Sequence, residues 1–86
     1  MVSQKVKIKN PTGLHLRPAG ILCKEAMQYK SHVSFRYGNN IANAKSVLGV
    51  LSAGIKQGDE LEIICEGVDE QEALRAMLEL FASGLE

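Results

Sequence analysis

The chain has 86 residues, its ten basic and ten acidic side chains give a formal net charge of +0, and its pI is near 6.7. A chain of this length builds one hydrophobic core, so residues 1–86 are predicted to form a single domain without a separate catalytic domain. The balanced charge excludes a global basic field, and direct binding to nucleic acid is not expected. No apolar run approaches the ~20 residues that cross a bilayer, and no signal-peptide pattern opens the chain. We therefore expect no membrane insertion and a cytoplasmic location.

An alternating segment is followed by a helical one near the N-terminus. In residues 5–9, lysines alternate with Val6 and Ile8, and this period of two predicts a half-buried strand. Residues 10–13, with the sequence Asn-Pro-Thr-Gly, are turn formers that end the strand. A first helix is predicted from residue 18 to about residue 29, where apolar side chains recur on one helical face: Ala19, Leu22, Cys23 and Ala26.

The middle of the chain predicts a hairpin and a short helix. Residues 32–37 alternate apolar and polar side chains, residues 38–40 are Gly-Asn-Asn, and residues 41–44 form a short third strand. Ser46 is placed as the N-cap of a helix over residues 47–52.

The last part of the chain predicts one strand and one helix. Residues 60–66 alternate apolar and acidic side chains, which indicates a fourth strand. Asp69 and Glu72 have the spacing of a capping box, in which Asp69 caps the last helix. Ala73, Leu74, Met77, Leu78 and Phe81 give that helix its apolar stripe, and Gly84 is expected at its C-terminal cap.

This order of elements predicts an α+β fold. A helix after the first strand and a helix before the last favour a four-stranded antiparallel sheet with the helices on one face and water on the other. Cys23 and Cys65 are far apart, belong to no CxxC motif and are interpreted as small buried apolar residues. The chain's Cys and His residues form no recognisable metal set, so neither a metal nor a cofactor is predicted.

His15 lies between the first strand and the first helix, which is the position required of a phosphate acceptor at a helix mouth. Backbone N–H groups at a helix start have no partner and attract anions, so a phosphate on His15 would find those of Leu16 and Arg17 within reach. The guanidinium of Arg17 has a donor fork that fits phosphate oxygens. Pro18 is tolerated in a first turn, and Gly13 permits the sharp turn before it. An ordinary capping or surface histidine is the alternative.

Ser46 is a second candidate site, because it begins a helix that is too short to bury all of its apolar side chains. These neighbours are Val47, Leu48, Val50 and Leu51, and some of them are expected to form an exposed docking surface. A phosphate on Ser46 would suit the helix N-terminus, yet it would add about two negative charges beside an apolar patch and repel a partner. A plain N-cap serine is the alternative, and His32 is interpreted as structural or exposed.

The sequence resembles the family of the histidine-containing phosphocarrier protein, HPr, of the phosphoenolpyruvate-dependent sugar phosphotransferase system, in its Gram-positive type with a regulatory serine. Two motifs carry the resemblance, which extends over nearly the whole chain. They are Gly13-Leu14-His15-Leu16-Arg17-Pro18-Ala19 and Lys45-Ser46-Val47-Leu48-Gly49-Val50-Leu51. The family fold is an open-faced β-sandwich of four antiparallel strands and three helices, in agreement with the order predicted above.

The resemblance implies a phosphoryl carrier that is a substrate of other enzymes and has no turnover of its own. His15 would accept a phosphoryl group at Nδ1 from enzyme I and pass it to sugar-specific enzyme IIA domains, with the assistance of Arg17. Ser46 would be phosphorylated by HPr kinase/phosphorylase, which slows transfer and creates a co-repressor for a catabolite-control transcription factor. The docking surface would comprise Leu16, Gly20, Val47, Leu48 and Leu51.

Two residues depart from the family pattern, and two alternative functions stay open. Leu16 stands where the family usually has a small or hydroxyl residue, and Gly20 where alanine or a small hydroxyl residue is common; both bear on the choice of partner. A small phosphatase of the acylphosphatase type has a superficially similar element order and phosphate-cradling loop. A regulatory module acting only through phosphorylated Ser46 is the other alternative, although such a paralogue typically lacks the histidine that is present here as His15.

Overall fold

The structure is a computed structural model that describes residues 1–85. Its elements follow the predicted order: β1 (Val2–Lys7), α1 (Leu16–Ala26), β2 (His32–Tyr37), β3 (Asn40–Asn43), α2 (Val47–Ser52), β4 (Glu60–Glu66) and α3 (Glu70–Ala82). Within residues 1–85, no helix has the length and apolar character needed to span a membrane.

The four strands form one antiparallel sheet in the order β1-β4-β2-β3. The register places Leu61 of β4 opposite Val6, and Ile63 opposite Phe35. Since side chains alternate between the two faces of a strand, Leu61, Ile63 and Cys65 all point into the core, where all three are buried. The three helices cover this face and the other face is open, which confirms the predicted α+β fold.

Both α1 and α3 bury one face in the hydrophobic core. Leu22 and Ala26 of α1 are fully buried, as are Ala73 and Met77 of α3, at the spacing of four that places side chains on one side of a helix. The helix α1 also contacts α2 and α3, whereas α2 lies over β3. The helical layer therefore holds the start of α1 and the start of α2 against the same core.

The first strand and the first helix begin earlier than predicted. The strand β1 spans Val2–Lys7 rather than residues 5–9, and Ile8 lies beyond it, buried and bonded through its N–H to the Asp59 carbonyl at 2.9 Å. The helix α1 begins at Leu16, so Pro18 is its third residue. A proline is accommodated there because the first N–H groups of a helix have no carbonyl one turn earlier.

The predicted capping box of the last helix is wrong. Asp69 is the N-cap residue of α3, as predicted, but its carboxylate makes no cap hydrogen bond. It accepts instead the N–H groups of Lys30 and Ser31, both at 2.9 Å, and the Ser31 hydroxyl at 2.5 Å. These donors, the Ser31 hydroxyl first, lower the pKa of Asp69 to about 2. Glu70 accepts the Gly67 N–H at 3.1 Å near the helix start.

The predicted C-terminal cap of α3 is confirmed. Gly84 has a φ of 84°, and its N–H donates to the Phe81 carbonyl at 3.2 Å. The Leu85 N–H donates to the Leu80 carbonyl at 3.2 Å, which completes a Schellman motif. This reversal of the chain turns Leu85 back into the core, where it is 1% exposed.

Candidate functional site

The loop between β1 and α1 is fixed by its own polar groups before it reaches His15. The Gly13 N–H donates to the Asn10 carbonyl at 3.0 Å, and the buried Asn10 side-chain amide donates back to the Gly13 carbonyl. These two bonds close the turn, in agreement with the turn predicted over residues 10–13.

Gly13 also brings the loop into direct contact with the segment that follows α2. Its φ is +64°, and a Cβ built on it would lie 2.4 Å from the Ile55 carbonyl oxygen and 2.8 Å from the Lys56 Cα. The next residue, Leu14, is buried and donates its N–H to the Ile55 carbonyl at 3.0 Å. Only glycine fits this contact. The backbone of Leu14, the residue before His15, is therefore held against Ile55.

His15 is the N-cap of α1, with an exposed imidazole that makes no capping hydrogen bond. Its carbonyl accepts the Ala19 N–H at 2.8 Å, which is the first hydrogen bond of the helix. Leu16 and Arg17 occupy the first two helical positions and their N–H groups have no carbonyl one turn earlier, while Pro18 has no N–H. Two backbone donors are thus available at the helix mouth beside the imidazole.

His15 and Arg17 line a single open cavity of about 340 Å³. The other lining residues are Asn10, Thr12, Pro18 and Leu85. Thr12 was predicted only as part of the turn. Leu85 gave no sequence signal for the site, because it arrives from the far end of the chain through the reversal after α3. No group of three or more His, Cys, Asp or Glu side chains suited to a metal ion exists within residues 1–85.

Ser46 is the N-cap of α2, as predicted. Its Oγ accepts the Gly49 N–H at 3.0 Å, and its carbonyl accepts the Val50 N–H at 3.0 Å. The Ser46 side chain is half-buried. A Cβ on Gly49 would lie 3.3 Å from the serine Oγ, so the glycine keeps the space beside the hydroxyl open.

The residue before Ser46 ties α2 to α1. The Lys45 ammonium donates to the Tyr29 carbonyl at 2.7 Å, just beyond the end of α1, and the Lys45 carbonyl accepts the Cys23 thiol at 3.1 Å. The interpretation of both cysteines as plain buried residues therefore holds for Cys65 but is wrong for Cys23, which is half-buried and hydrogen-bonded. Both thiols are free.

The predicted docking residues separate into exposed and half-buried side chains. Leu16 is 63% exposed and Leu48 is 80% exposed. Val47 and Leu51 are only half-exposed, because they pack against the core, and their neighbour Val50 is fully buried. Gly20 is half-buried, and a Cβ on it would meet nothing within 4 Å. Among the predicted docking residues, Leu16 and Leu48 are therefore the two with exposed apolar side chains.

The segments that carry the two candidate sites are basic. Residues 1–24 and residues 38–58 contain no aspartate or glutamate, whereas nine of the ten acidic residues lie in residues 59–86. Arg17, Lys24, Lys45 and Lys56 all belong to the acid-free segments. The molecule is neutral as a whole, but its charge is unevenly distributed along the chain.

A protein-family model described as "PTS HPr component phosphorylation site" matches residues 2–83. The chain belongs to the HPr family. One relative is the HPr-like protein Crh of Bacillus subtilis, which is 40% identical over 77 residues; these cover 90% of this chain and 91% of Crh. The phosphocarrier protein HPr of Mycoplasma pneumoniae is 42% identical over 74 residues, which cover 85% of this chain and 84% of that protein.

Solved structures of HPr family members have the same fold. HPr of Thermoanaerobacter tengcongensis superposes with a TM-score of 0.96 at 38% identity, and the match covers 99% of this chain and 96% of that one. A crystal structure of B. subtilis Crh, described as a catabolite repression protein, gives a TM-score of 0.78 at 37% identity, with 98% and 97% of the two chains covered. The protein is thus an HPr-like phosphocarrier, and its Crh relatives connect the family with carbon catabolite regulation.

Proposed function

We propose that this member of the HPr family accepts a phosphoryl group from enzyme I on His15 and passes it to the enzyme IIA domains of a sugar phosphotransferase system. The observation that carries the proposal is the arrangement at the start of α1. There the exposed His15 and Arg17 line one open cavity, and the N–H groups of Leu16 and Arg17 belong to the first two helical positions, directly after His15.

Each part of this arrangement has a role in the transfer. The lone pair of Nδ1 attacks phosphorus while the bond to the donor's leaving atom breaks, so one bond to phosphorus replaces another and no water enters. Negative charge on the phosphoryl oxygens is stabilised by the two helix N–H groups and the positive end of the helix dipole. The Arg17 guanidinium supplies further charge-assisted hydrogen bonds. An exposed acceptor leaves the phosphoryl group accessible to the next protein in the chain.

Partner recognition relies on the surface around Leu16 and Leu48. Both side chains are exposed, and they belong to segments that carry basic residues and no acidic ones. A complementary partner surface combines an apolar centre with acidic side chains, and its association rate falls as salt rises. Enzyme I and the enzyme IIA domains are the proposed partners of this surface, because both must bring their own phosphoryl site to His15.

Regulation at Ser46 is part of the same proposal. HPr kinase/phosphorylase would esterify the Ser46 Oγ, which lies at the N-terminus of α2, where a phosphate is favourable for the helix. The same phosphate adds about two negative charges to a segment, residues 38–58, that has no acidic residue of its own, so it repels an acidic partner. The modified protein could then act as the co-repressor of a catabolite-control transcription factor, the other proposed partner.

The acceptor role is tested by incubation with enzyme I and phosphoenolpyruvate. We expect an acid-labile, base-stable phosphoprotein that His15→Ala abolishes. His32→Ala is the matched control, because His32 is also exposed but lies on β2 opposite Glu66. Labelling that persists in His15→Ala, or is lost in His32→Ala alone, contradicts the assignment.

The regulatory role is tested by placing a permanent negative charge at Ser46. Ser46→Asp keeps an N-cap acceptor and should slow the charging of His15 without unfolding the chain. Ser3→Asp is the control for net charge, because Ser3 lies opposite Ile64 on the open face of the sheet. Equal charging rates for the two variants argue against control of docking by Ser46.

A regulatory module that acts only through phosphorylated Ser46 is the second candidate function. The similarity to Crh favours it, since one solved Crh structure is described as a catabolite repression protein. Phosphorylation by HPr kinase/phosphorylase with ATP, combined with no labelling by enzyme I, would establish this function in place of transfer. The acylphosphatase alternative loses its support, because it rested on a superficially similar element order and phosphate-cradling loop, whereas the chain belongs to the HPr family.

A further inference from the structure

The pair formed by Tyr37 and Asp59 organises the loop between α2 and β4. The Tyr37 hydroxyl, at the end of β2, donates to Asp59 Oδ2 at 2.8 Å, and the Lys56 N–H donates to the same oxygen at 2.8 Å. The Asp59 N–H donates back to the Lys56 carbonyl at 3.0 Å. One carboxylate oxygen therefore closes the loop on itself and ties it to the central sheet.

Titration behaviour agrees with this geometry. The hydrogen bond to Asp59 raises the pKa of the Tyr37 hydroxyl above its usual value. The Lys56 amide, followed by the Tyr37 hydroxyl, lowers the pKa of the Asp59 carboxyl. The carboxylate is thus the form in which Asp59 serves both donors near neutral pH.

The loop that this pair organises is the surface on which the His15 loop rests. The Ile55 carbonyl accepts the Leu14 N–H at 3.0 Å, and the position of a Gly13 Cβ lies only 2.8 Å from the Lys56 Cα. On its other side, the Asp59 carbonyl accepts the Ile8 N–H at 2.9 Å at the end of β1. A displacement of the loop is therefore transmitted through backbone contacts to the residue that precedes His15.

We propose that Tyr37 and Asp59 are positioning residues for phosphoryl transfer, which hold His15 and the two helix N–H groups in register with an incoming phosphoryl group. The inference rests on the proposed role of His15 as acceptor. Neither side chain touches the reacting atoms, and both act through Lys56, Ile55 and the backbone of Leu14. In-line transfer is sensitive to such placement, because a misplacement of about 1 Å costs on the order of 100-fold in rate.

The test compares variants that remove one hydrogen bond with variants that keep it. Tyr37→Phe deletes only the hydroxyl, and Asp59→Ala deletes the acceptor for both donors. Asp59→Asn retains one carbonyl oxygen that can accept both bonds, so it should restore most of the function lost in Asp59→Ala. The matched control is Tyr29→Phe. Tyr29 follows the end of α1, and its hydroxyl makes only a 3.4 Å hydrogen bond to Glu25 of that helix.

Two measurements are made on each folded variant. The first is amide hydrogen exchange and chemical shift at Leu14, Leu16 and Arg17, recorded without any phosphoryl donor. The second is the rate of charging by enzyme I, with the maximal rate and the half-saturating concentration determined separately. For Tyr37→Phe we expect faster exchange at Leu14, shifted amides at the helix mouth and a maximal charging rate about ten-fold lower, with a smaller change in half-saturation.

The outcomes distinguish this inference from the proposed function. The positioning role is overturned if the parent protein charges normally and the maximal charging rate of Tyr37→Phe stays within two-fold of the parent and the control. Unchanged Leu14 exchange in Tyr37→Phe overturns it as well, even if the parent is never charged. Failure of the parent to become charged, with Leu14 exchange altered as expected, overturns the acceptor role of His15 but keeps the structural link. Failure of Asp59→Ala to fold leaves Tyr37→Phe to decide.

Discussion

Replacement of Gly13 by alanine tests how firmly the His15 loop is bound to the rest of the protein. Gly13 has a φ of +64°, and its absent Cβ would lie 2.4 Å from the Ile55 carbonyl oxygen and 2.8 Å from the Lys56 Cα. Both atoms belong to the backbone, so a rotamer change cannot remove the overlap. The loop must move away, and the hydrogen bond from the Leu14 N–H to the Ile55 carbonyl is lost with it.

The cost follows from three contributions. The left-handed conformation costs a non-glycine residue about 1–2 kcal/mol. The lost backbone hydrogen bond contributes about 1 kcal/mol, and the steric displacement about 1–3 kcal/mol. Gly13→Ala should therefore lower the free energy of unfolding by at least about 3 kcal/mol. This is a large part of the stability of a small domain, which is about 5–15 kcal/mol.

The assay is equilibrium unfolding in urea, with Gly38→Ala as the matched control. Gly38 has nearly the same φ, +61°, but a Cβ on it would meet nothing within 4 Å, so only the conformational cost of about 1–2 kcal/mol applies. The difference between the two variants isolates the contact with Ile55 and Lys56. Equal destabilisation of the two variants would refute the claim that this contact holds the loop in place.

Three further predictions concern charge, the second site and the docking surface. Asp69→Asn should destabilise the fold at neutral pH. The difference in stability from the parent should vanish as the pH falls through about 2, because a carboxyl with a lowered pKa stabilises the fold only while it is ionised. Unfolding measured from pH 7 to pH 1.5 checks this prediction. Ser46→Ala should cost about 1 kcal/mol through loss of the N-cap, as measured in urea. Leu48→Ala should change the free energy of unfolding by less than ~0.5 kcal/mol but slow charging by enzyme I. Val50→Ala, which truncates the buried neighbouring side chain, should lower the free energy of unfolding by about 2 kcal/mol.

Elements with regular patterning were predictable from the sequence, and those with interrupted patterning were not. The strand over residues 60–66 and the helix over residues 47–52 have the predicted bounds, because alternation and an N-cap serine are local signals. The bounds of β1 were missed because Gln4 lies opposite Ile63 on the core-facing side and interrupts the apolar alternation. The pairing of residues 2–7 with β4 outweighs that local signal.

The parts of the site that come from distant segments could not be predicted. The sequence predicts His15 and Arg17 as site residues from their place at a helix start, and both line the same cavity. Leu85 enters the same cavity only through the chain reversal after α3. Asp69 shows the same limit, because its spacing favoured a helix cap while the donors that it serves, at Lys30 and Ser31, are distant in sequence. Local spacing indicates which hydrogen bonds a side chain can make, and the tertiary structure determines which of them form.

The measurement that tests the central proposal most directly is a single-turnover transfer from the isolated phosphoprotein. The chain is charged at His15, separated from enzyme I and phosphoenolpyruvate, and mixed with an enzyme IIA domain. We predict that the phosphoryl group leaves His15 and appears on the enzyme IIA domain in equal amount, with little inorganic phosphate released. Release of inorganic phosphate without labelling of the enzyme IIA domain would contradict the assignment of this protein as a carrier.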